Sequence, residues 1–235
     1  MNSHDQISVA VFMPALNEED ALPPILSTIP DWVSVVIVAD NGSTDRTAEV
    51  AEEGGAHVVH EAERGYGAAC LAGMRHLASL ERQPDIIAFM DADGSDDPAE
   101  LGRLVRPIVD DDADMVLGVR RGVEGDVGTI LPHARLGNWI VLGLVSLLFG
   151  QSFSDLPPFR AVRFSSLLDL EMDDRNWGWT LQMQIRAERA SLRVAEIEVA
   201  HRRRTEGRSK ISGSLVMSVR VGAKMFYTLG REWLR

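Results

Sequence analysis

The sequence contains very little cysteine and lysine and no long apolar run. Cys70 is the one cysteine among 235 residues, so no disulfide can form within the chain, and a reducing compartment is indicated. The longest apolar run, residues 139–149, is shorter than the roughly 18 residues that a transmembrane helix needs. The first residues also lack the basic start and the apolar centre of a signal peptide. We therefore expect a cytoplasmic protein.

Basic residues are scarce except at the C-terminal end. The net charge is −11, and the chain as a whole lacks the basic face that nucleic acids require. Residues 1–200 hold 15 basic and 33 acidic residues, a net of −18, whereas residues 201–235 hold nine and two, a net of +7. Both lysines, Lys210 and Lys224, lie in this basic segment. Its charge predicts a local anionic partner, which is a diphosphate, an anionic membrane, or both.

Short apolar runs alternate with segments of helical length through the first half of the chain. The runs are rich in Val and Ile and are continuous, as in strands that are covered on both faces. They lie at residues 7–13, 33–39, 56–60, 85–90 and 114–119, and the helical segments lie at 18–29, 44–54, 66–82 and 98–110. We predict an α/β fold with a Rossmann-like, doubly wound, mostly parallel sheet and helices on both faces.

The alternation stops near residue 120. In the second half we expect a glycine-rich loop at residues 122–133 and a helix at 134–149. Two strands at 159–163 and 193–199 are expected around a helix at 177–190. A basic loop at 201–214 and a final helix at 215–235 follow. The sequence thus predicts one domain over 1–214, with halves 1–120 and 121–214, and an amphipathic helix over 215–235.

Polar side chains follow three of the predicted strands, in residues 14–18, 40–43 and 91–97. Ligands of open α/β sheets bind beyond the carboxyl ends of the strands, so these side chains form the candidate site. No G-x-G-x-x-G motif follows the first strand, which disfavours a dinucleotide site.

Asp91 and Asp93 directly follow an apolar run and can converge on one hard cation. Mg²⁺ or Mn²⁺ is typically bound by one or two carboxylates while substrate phosphates supply further oxygens. Taken alone, the Asp-x-Asp pair is better explained as a solvated acidic turn that caps the next helix. A calcium loop is disfavoured, because the EF-hand spacing is absent.

The candidate site residues lie in three sequence motifs that follow one another along the chain. The motifs are Val-Phe-Met-Pro-Ala-Leu-Asn-Glu-Glu at 11–19, Val-Ile-Val-Ala-Asp-Asn-Gly-Ser-Thr-Asp at 36–45 and Phe-Met-Asp-Ala-Asp at 89–93. In order and spacing they resemble the family 2 glycosyltransferases of GT-A fold. Residues 64–69, 155–160 and 204–210 further resemble the branch that contains dolichyl- and polyprenyl-phosphate mannosyl- and glucosyltransferases.

The resemblance implies roles for individual residues. The nucleotide would be bound by Pro14, Leu16, Glu18, Asp40, Asn41, Asp91, Ala92 and Lys210. Asp91 and Asp93 would hold the metal, Arg120 and Arg135 the acceptor phosphate, and the catalytic set would be Asp93, Arg120, Asp155 and Arg204. Asn41 replaces an aspartate that is common in the family, which leaves the base, uracil or guanine, open. Arg204 and Lys210 would close over the donor diphosphate.

A general base is needed only if the acceptor is a hydroxyl. Asp155 is the first candidate and Asp97, which also reads as a helix cap, is the second. Gln182 stands where relatives often carry a glutamate, and Pro157-Pro158 replaces the Ser-Gly that is common before Phe-Arg. Both departures concern the acceptor pocket.

The C-terminal helix has two stripes roughly 170° apart. The apolar stripe consists of Leu215, Val219, Gly222, Phe226, Leu229 and Trp233. The basic stripe consists of Arg220, Lys224, Arg231 and Arg235. Such a helix can lie on the inner face of an anionic membrane. Alternatively, its apolar stripe packs on protein, either on the core of this chain or on the partner subunit of a homo-oligomer.

Together these observations predict an inverting, metal-dependent hexosyltransferase with Mg²⁺ or Mn²⁺ as cofactor. The expected donor is a UDP-sugar, with GDP-mannose as the other option, and the expected acceptor is a polyprenyl phosphate. Two alternatives remain. The first keeps the donor but uses a hydroxyl acceptor, either a saccharide or a small metabolite. The second is a nucleotide-sugar-binding module without turnover.

Overall fold

A computed structural model describes residues 7–122, 132–150, 152–202 and 215–235. Its centre is one seven-stranded sheet of order β3-β2-β1-β4-β6-β5-β7. The strands are β1 (Val9–Ala15), β2 (Val35–Asp40), β3 (His57–His60), β4 (Ile86–Phe89), β5 (Met115–Gly122), β6 (Arg160–Arg163) and β7 (Val194–His201). All strand pairs are parallel except those that β6 makes with β4 and β5. The predicted doubly wound, mostly parallel α/β sheet is confirmed.

Eight helices lie in the described part of the chain. They are α1 (Leu22–Leu26), α2 (Thr47–Glu53), α3 (Tyr66–Ala78), α4 (Leu101–Val109), α5 (Pro132–Phe149), α6 (Phe164–Asp169), α7 (Trp179–Arg189) and α8 (Leu215–Trp233). A short 3-10 turn, Pro98–Glu100, precedes α4. None of these helices is long and apolar enough to cross a membrane.

The core has two layers, one on each face of the sheet. Phe12 packs in the layer that contains Leu77 and Trp179, while its neighbours Val11 and Met13 pack in the other. Successive strand residues point to opposite faces, so a strand that is covered on both sides is apolar throughout. This explains the continuous apolar runs in the sequence. Trp179 is buried in the core, away from any sugar.

Several local predictions need correction. β6 was expected as a strand, but its insertion antiparallel between β4 and β5 was not, and α6 was not predicted at all. α1 spans five residues instead of twelve. α2 begins three residues later than expected, because the Asp45 carboxylate accepts the Thr47 N–H at 3.0 Å and closes a turn before the helix.

Candidate active site

The loops after β1 and β2 are joined by side-chain hydrogen bonds. The Asn17 N–H donates to Ser43 Oγ at 2.9 Å, and Asn17 Oδ1 accepts the Thr44 N–H at 2.8 Å. Glu18 N–H donates to Thr47 Oγ1 at 2.8 Å. Asn17 has a φ of 51°, a left-handed conformation that asparagine tolerates better than most residues. The two loops therefore form one wall at the carboxyl edge of the sheet.

This wall brings the predicted nucleoside residues together. Pro14 is paired in register with Ala39, one residue before Asp40, and Leu16 and Glu18 follow in the joined loop. The buried Asp40 carboxylate accepts the Ser43 N–H at 3.0 Å through Oδ1, and its Oδ2 lies 3.4 Å from His60 Nδ1.

Asn41 has a structural role that the sequence did not reveal. Its amide donates to the carbonyl oxygens of Glu61 at 3.1 Å and Glu63 at 2.6 Å, and its Oδ1 accepts the Gly65 N–H at 2.8 Å. These three bonds fix the loop that leads into α3. An aspartate has no donor for the two carbonyls, which explains the asparagine at this position. We therefore correct the expected direct contact with the nucleoside: the Asn41 side chain supports the loop beside the pocket.

Asn41→Asp is expected to destabilise the fold by about 2–3 kcal/mol, because two buried donors are lost and a charge faces two carbonyl oxygens. Urea unfolding would measure this change in the free energy of unfolding. Asn17→Asp is the matched control, since its carboxylate still accepts the Thr44 N–H. Equal stability of the two variants would contradict the role given to Asn41.

The start of α3 is closed by protein. The N–H groups of Gly67 and Ala68 donate to the carbonyl oxygens of Asn176 at 3.2 Å and Arg175 at 2.9 Å. A Cβ on Gly67 would lie 1.9 Å from the Asp174 carbonyl oxygen, so only glycine permits this approach. These two N–H groups are used by the chain itself and do not form an anion site.

The Asp-x-Asp loop follows β4 and is ordered by its own acidic residues. Asp93 is buried, and its Oδ1 accepts the Ser95 N–H at 2.9 Å. Asp96 Oδ2 accepts the Asp91 N–H at 2.9 Å. Asp96 is itself buried, and its Oδ1 lies 3.7 Å from His201 Nδ1 at the end of β7.

Asp97 closes this loop as a cap. Its Oδ1 accepts the Ala99 N–H at 3.1 Å at the start of the 3-10 turn, and its other oxygen pairs with the Arg202 guanidinium. The expectation that Asp97 caps the next helical turn is confirmed. Both bonds leave it poorly placed as the second candidate for a general base.

The donor set of the loop suits a cation that is shared with a substrate. No group of three or more His, Cys, Asp or Glu side chains that could hold a metal occurs among the residues that the structure describes. A cation at Asp91 and Asp93 would therefore need further oxygen ligands. Mg²⁺ and Mn²⁺ accept this arrangement when a diphosphate supplies them. The residues present fit such an ion and do not form a closed structural site.

Arg120 and Asp155 form a bidentate ion pair at the end of β5. Arg120 Nε donates to Asp155 Oδ2 and Arg120 Nη2 donates to Asp155 Oδ1, both at 2.7 Å. Burial by itself raises the pKa of Asp155, but hydrogen bonding and the positive charge of Arg120 outweigh burial and hold that pKa below its ordinary value. A carboxylate with a lowered pKa is a weak base. The structure therefore speaks against Asp155 as general base and makes it the partner that orients Arg120.

A cavity of about 590 Å³ opens beside this ion pair. The Arg120–Asp155 pair and three serines contribute polar groups to its walls, and Val119, Trp139, Leu142 and Phe153 contribute apolar ones. Glu196 fixes one side, since its carboxylate accepts the Ser154 N–H at 2.7 Å and the Ser154 hydroxyl at 2.6 Å. Arg135 lies in the first turn of α5, and its side chain is outside the described part of the structure.

Arg160 is a further site residue to which the sequence assigned no role. Its buried guanidinium donates to the Pro157 carbonyl oxygen at 2.9 Å and to the Thr180 carbonyl oxygen at 3.1 Å. Burial lowers its pKa to about 10. Arg160 thereby fixes the Pro157-Pro158 turn behind Asp155. The one sequence signal was its place in the motif at 155–160.

Gln182 lies in α7 and has a structural role. Its Oε1 accepts the N–H groups of Asp173 at 3.1 Å and Asp174 at 2.9 Å. Its amide donates to Asp173 Oδ1 and to Glu232 Oε1, both at 2.6 Å. The side chain is fully buried, which agrees with the inference that this position does not act as a base.

Helix α8 packs on the protein through charged side chains. Lys224 Nζ lies 2.8 Å from Asp174 Oδ2, and the Arg231 guanidinium lies 2.9 Å from Asp173 Oδ1. Glu232 is buried and pairs with Arg186 at 2.9 Å. The sequence placed Lys224 and Arg231 on a basic stripe roughly opposite the apolar one. In the structure both form ion pairs with the loop before α7, while Leu229 of the apolar stripe is buried in the core.

The basic segment leaves the sheet beside the Asp-x-Asp loop. The Arg202 N–H donates to the Ser95 carbonyl oxygen at 2.9 Å, and Asp96 bridges to His201 in the same place. Arg204 and Lys210, predicted to close over the diphosphate, lie outside the described residues.

A doubly wound sheet with an Asp-x-Asp loop at its carboxyl edge is the arrangement of a GT-A glycosyltransferase. The chain belongs to glycosyl transferase family 2, whose model matches residues 10–171, and it is an enzyme of this transferase class. An uncharacterised glycosyltransferase of Mycobacterium tuberculosis is 41% identical over 90% of this chain and 93% of its own.

Two further proteins are similar to this chain. An undecaprenyl-phosphate mannosyltransferase of Micrococcus luteus is 31% identical, with 88% of this chain and 89% of the relative covered. Glucosyl-3-phosphoglycerate synthase from M. tuberculosis, solved with Mn²⁺, UDP-glucose and phosphoglyceric acid, has the same fold with a TM-score of 0.74. It is 22% identical, with 97% of this chain and 80% of that chain covered.

Proposed function

We propose that this glycosyltransferase moves a hexose from a nucleoside-diphosphate sugar to a polyprenyl phosphate, with inversion at the anomeric carbon. The observation that carries the proposal is the cavity beside the Arg120–Asp155 ion pair, whose walls combine charged, polar and apolar side chains. A polyprenyl phosphate has the same two parts, an anionic head and an apolar chain. The similarity to the undecaprenyl-phosphate mannosyltransferase supports the same acceptor class.

The charge at the cavity suits a phosphate. A guanidinium makes bidentate, charge-assisted bonds to phosphate, and Asp155 holds Arg120 in one orientation before the acceptor arrives. The negative charges of Asp96 and Asp91 also raise the pKa of Arg120, which supports a cavity close to the Asp-x-Asp loop. Arg135, at the start of the neighbouring helix α5, is proposed as the second arginine for the acceptor phosphate.

The donor is proposed to lie along the joined loops. Pro14, Leu16, Glu18 and Asp40 would hold the nucleoside, and Asp91 with Ala92 would follow the ribose and diphosphate. A Mg²⁺ or Mn²⁺ ion held by Asp91 and Asp93 would neutralise the charge that grows on the departing diphosphate. UDP-sugars are the donors of choice, with GDP-mannose as the second option.

No general base is required in this reaction. An oxygen of the acceptor phosphate is already anionic and forms the new bond to the anomeric carbon as the bond to the donor diphosphate breaks. The chain contributes orientation of the nucleophile through Arg120 and stabilisation of the leaving group through its cationic residues. A hydroxyl acceptor would need a base, and Asp155 and Asp97 are both engaged by arginines.

The test compares acceptors that differ in one group. A short polyprenyl phosphate, the corresponding polyprenol and a free hexose would each be incubated with UDP-glucose or GDP-mannose and Mn²⁺. We expect transfer to the phosphate and none to the other two. Transfer to the polyprenol or the hexose without transfer to the phosphate would refute the acceptor assignment. It would favour the alternative in which the acceptor is a hydroxyl.

Arg204 is proposed to meet the donor diphosphate. Arg204→Ala is expected to lower turnover about a hundredfold or more while leaving nucleoside affinity nearly unchanged, because only the diphosphate loses a charged partner. Calorimetry with uridine and UDP, together with rate measurements, would check this. The neighbouring Arg203→Ala is the matched control, and an equal effect of both substitutions would contradict a specific role for Arg204.

A further inference from the structure

Helix α8 presents an aromatic face to solvent. Phe226, Tyr227 and Trp233 are exposed, as is Leu234 directly after the helix, with Leu234 80% and Tyr227 61% exposed. Leu229 is buried in the core, but these larger side chains are not, whereas an ordinary surface helix buries most of its apolar face. Its ion pairs to Asp173 and Asp174 hold it in this orientation.

Helix α5 presents a similar face. Trp139, Ile140, Leu147 and Leu148 are exposed, with Leu147 at 78% and Trp139 at 72%, and residues 139–150 contain no charged side chain. α5 and α8 pack against each other. Among the described residues, α5, α8 and Leu234 directly after α8 carry eight of the twelve large exposed hydrophobic side chains. Soluble proteins rarely expose such a cluster without a partner, and we call it the α5–α8 surface.

The α5–α8 surface is continuous with the acceptor cavity. Trp139 is both exposed on this surface and part of the cavity wall, and Leu142, Gly143 and Ser146 line the cavity from the same helix. An occupant of the surface is therefore in contact with the mouth of the cavity. A lipid bilayer fits this arrangement, since its lipids could reach Arg120 without passing through water.

Residue types and charge favour a bilayer over a second copy of the chain. Tryptophan and tyrosine are enriched where proteins meet the bilayer interface. Arg220 on α8 is exposed, as is Arg235 after the helix, which also pairs with Asp173, and both lie within the segment 201–235 that carries a net charge of +7. Anionic headgroups would attract this segment, whereas a symmetric dimer would bring two such segments together. We propose that the α5–α8 surface docks on an anionic lipid bilayer and opens the acceptor cavity to it.

Vesicle flotation without donor or acceptor tests the surface by itself. The probe is phosphatidylcholine vesicles with about one third phosphatidylglycerol, compared with pure phosphatidylcholine. We expect binding to the anionic vesicles and a loss of about tenfold or more in partitioning for the double variant Leu147→Ser, Trp233→Ser. Trp32→Ser, an exposed tryptophan outside these two helices, is the matched control and should bind like the parent chain.

Two results would overturn the proposal. The first is equal vesicle binding by the double variant and the parent chain, or no binding by either. The second is a dimer in light scattering that the double variant converts to a monomer, which would assign the surface to a second copy. The acceptor itself rests on the proposed function. Failure of transfer to any polyprenyl phosphate would leave the vesicle result standing, so the two claims fail separately.

Discussion

Asp93→Asn is expected to lower turnover about a thousandfold while the chain remains folded. The substitution removes one of two carboxylates proposed to hold the cation and its diphosphate, and a lost charge contact to a leaving group costs about 3–4 kcal/mol of the barrier. Asparagine retains an oxygen that accepts the Ser95 N–H, so the loop keeps its internal bond. Steady-state rates at saturating donor, with and without Mn²⁺, would measure the effect.

The controls for this variant come from the same loop. Asp97→Asn keeps the cap to Ala99, because asparagine is an equally good cap, and should stay within a few-fold of the parent rate. EDTA should abolish activity of the parent chain, and added Mn²⁺ or Mg²⁺ should restore it. Full activity of Asp93→Asn, or activity that survives EDTA, would remove the metal from the proposed reaction.

Arg120→Ala is expected to lower sugar transfer about a hundredfold or more while the slow hydrolysis of donor by water is largely spared. Arg120 is assigned to the acceptor phosphate, and water needs no such contact. One assay would measure both rates, the transfer rate from the glycosylated polyprenyl phosphate and the hydrolysis rate from the free sugar released. Comparing them separates acceptor binding from donor chemistry. Parallel loss of both rates would place Arg120 at the donor.

The ion pair provides a second variant for this prediction. Removal of Arg120 leaves a buried carboxylate without its partner, so unfolding midpoints must be measured alongside the rates. Arg120→Lys keeps the charge but loses the bidentate fork, and should fall between the parent and the alanine variant. Arg106→Ala, an exposed arginine paired with Asp110, is the matched control and should leave both rates unchanged.

The sequence predicted the sheet because its signals are local. Each continuous apolar run at 33–39 or 85–90 reports a strand covered on both faces, and the polar residues after each run mark one edge of a parallel sheet. The position of β6 could not be read in this way. Its run at 159–163 indicates a strand, but insertion between β4 and β5 depends on partners that are distant in the chain.

The same limit applies to individual side chains. Asn41 follows β2 and was assigned to the nucleoside, but its three bonds go to a loop 20 or more residues away. Periodicity placed Lys224 and Arg231 on a basic stripe, but no helical pattern reveals Asp173 or Asp174 as their partners. Asp91 and Asp93 could be assigned to one loop after β4 from the sequence, because the bonds that order this loop are local.

Nuclear magnetic resonance of the purified product tests the central claim most directly. A nucleotide sugar and a short polyprenyl phosphate would be converted by the parent chain in the presence of Mn²⁺. We expect the phosphomonoester phosphorus signal to be replaced by that of a phosphodiester, and the anomeric carbon–hydrogen coupling to show inversion relative to the donor. An unchanged phosphomonoester, with the sugar on a hydroxyl or released into water, would contradict it.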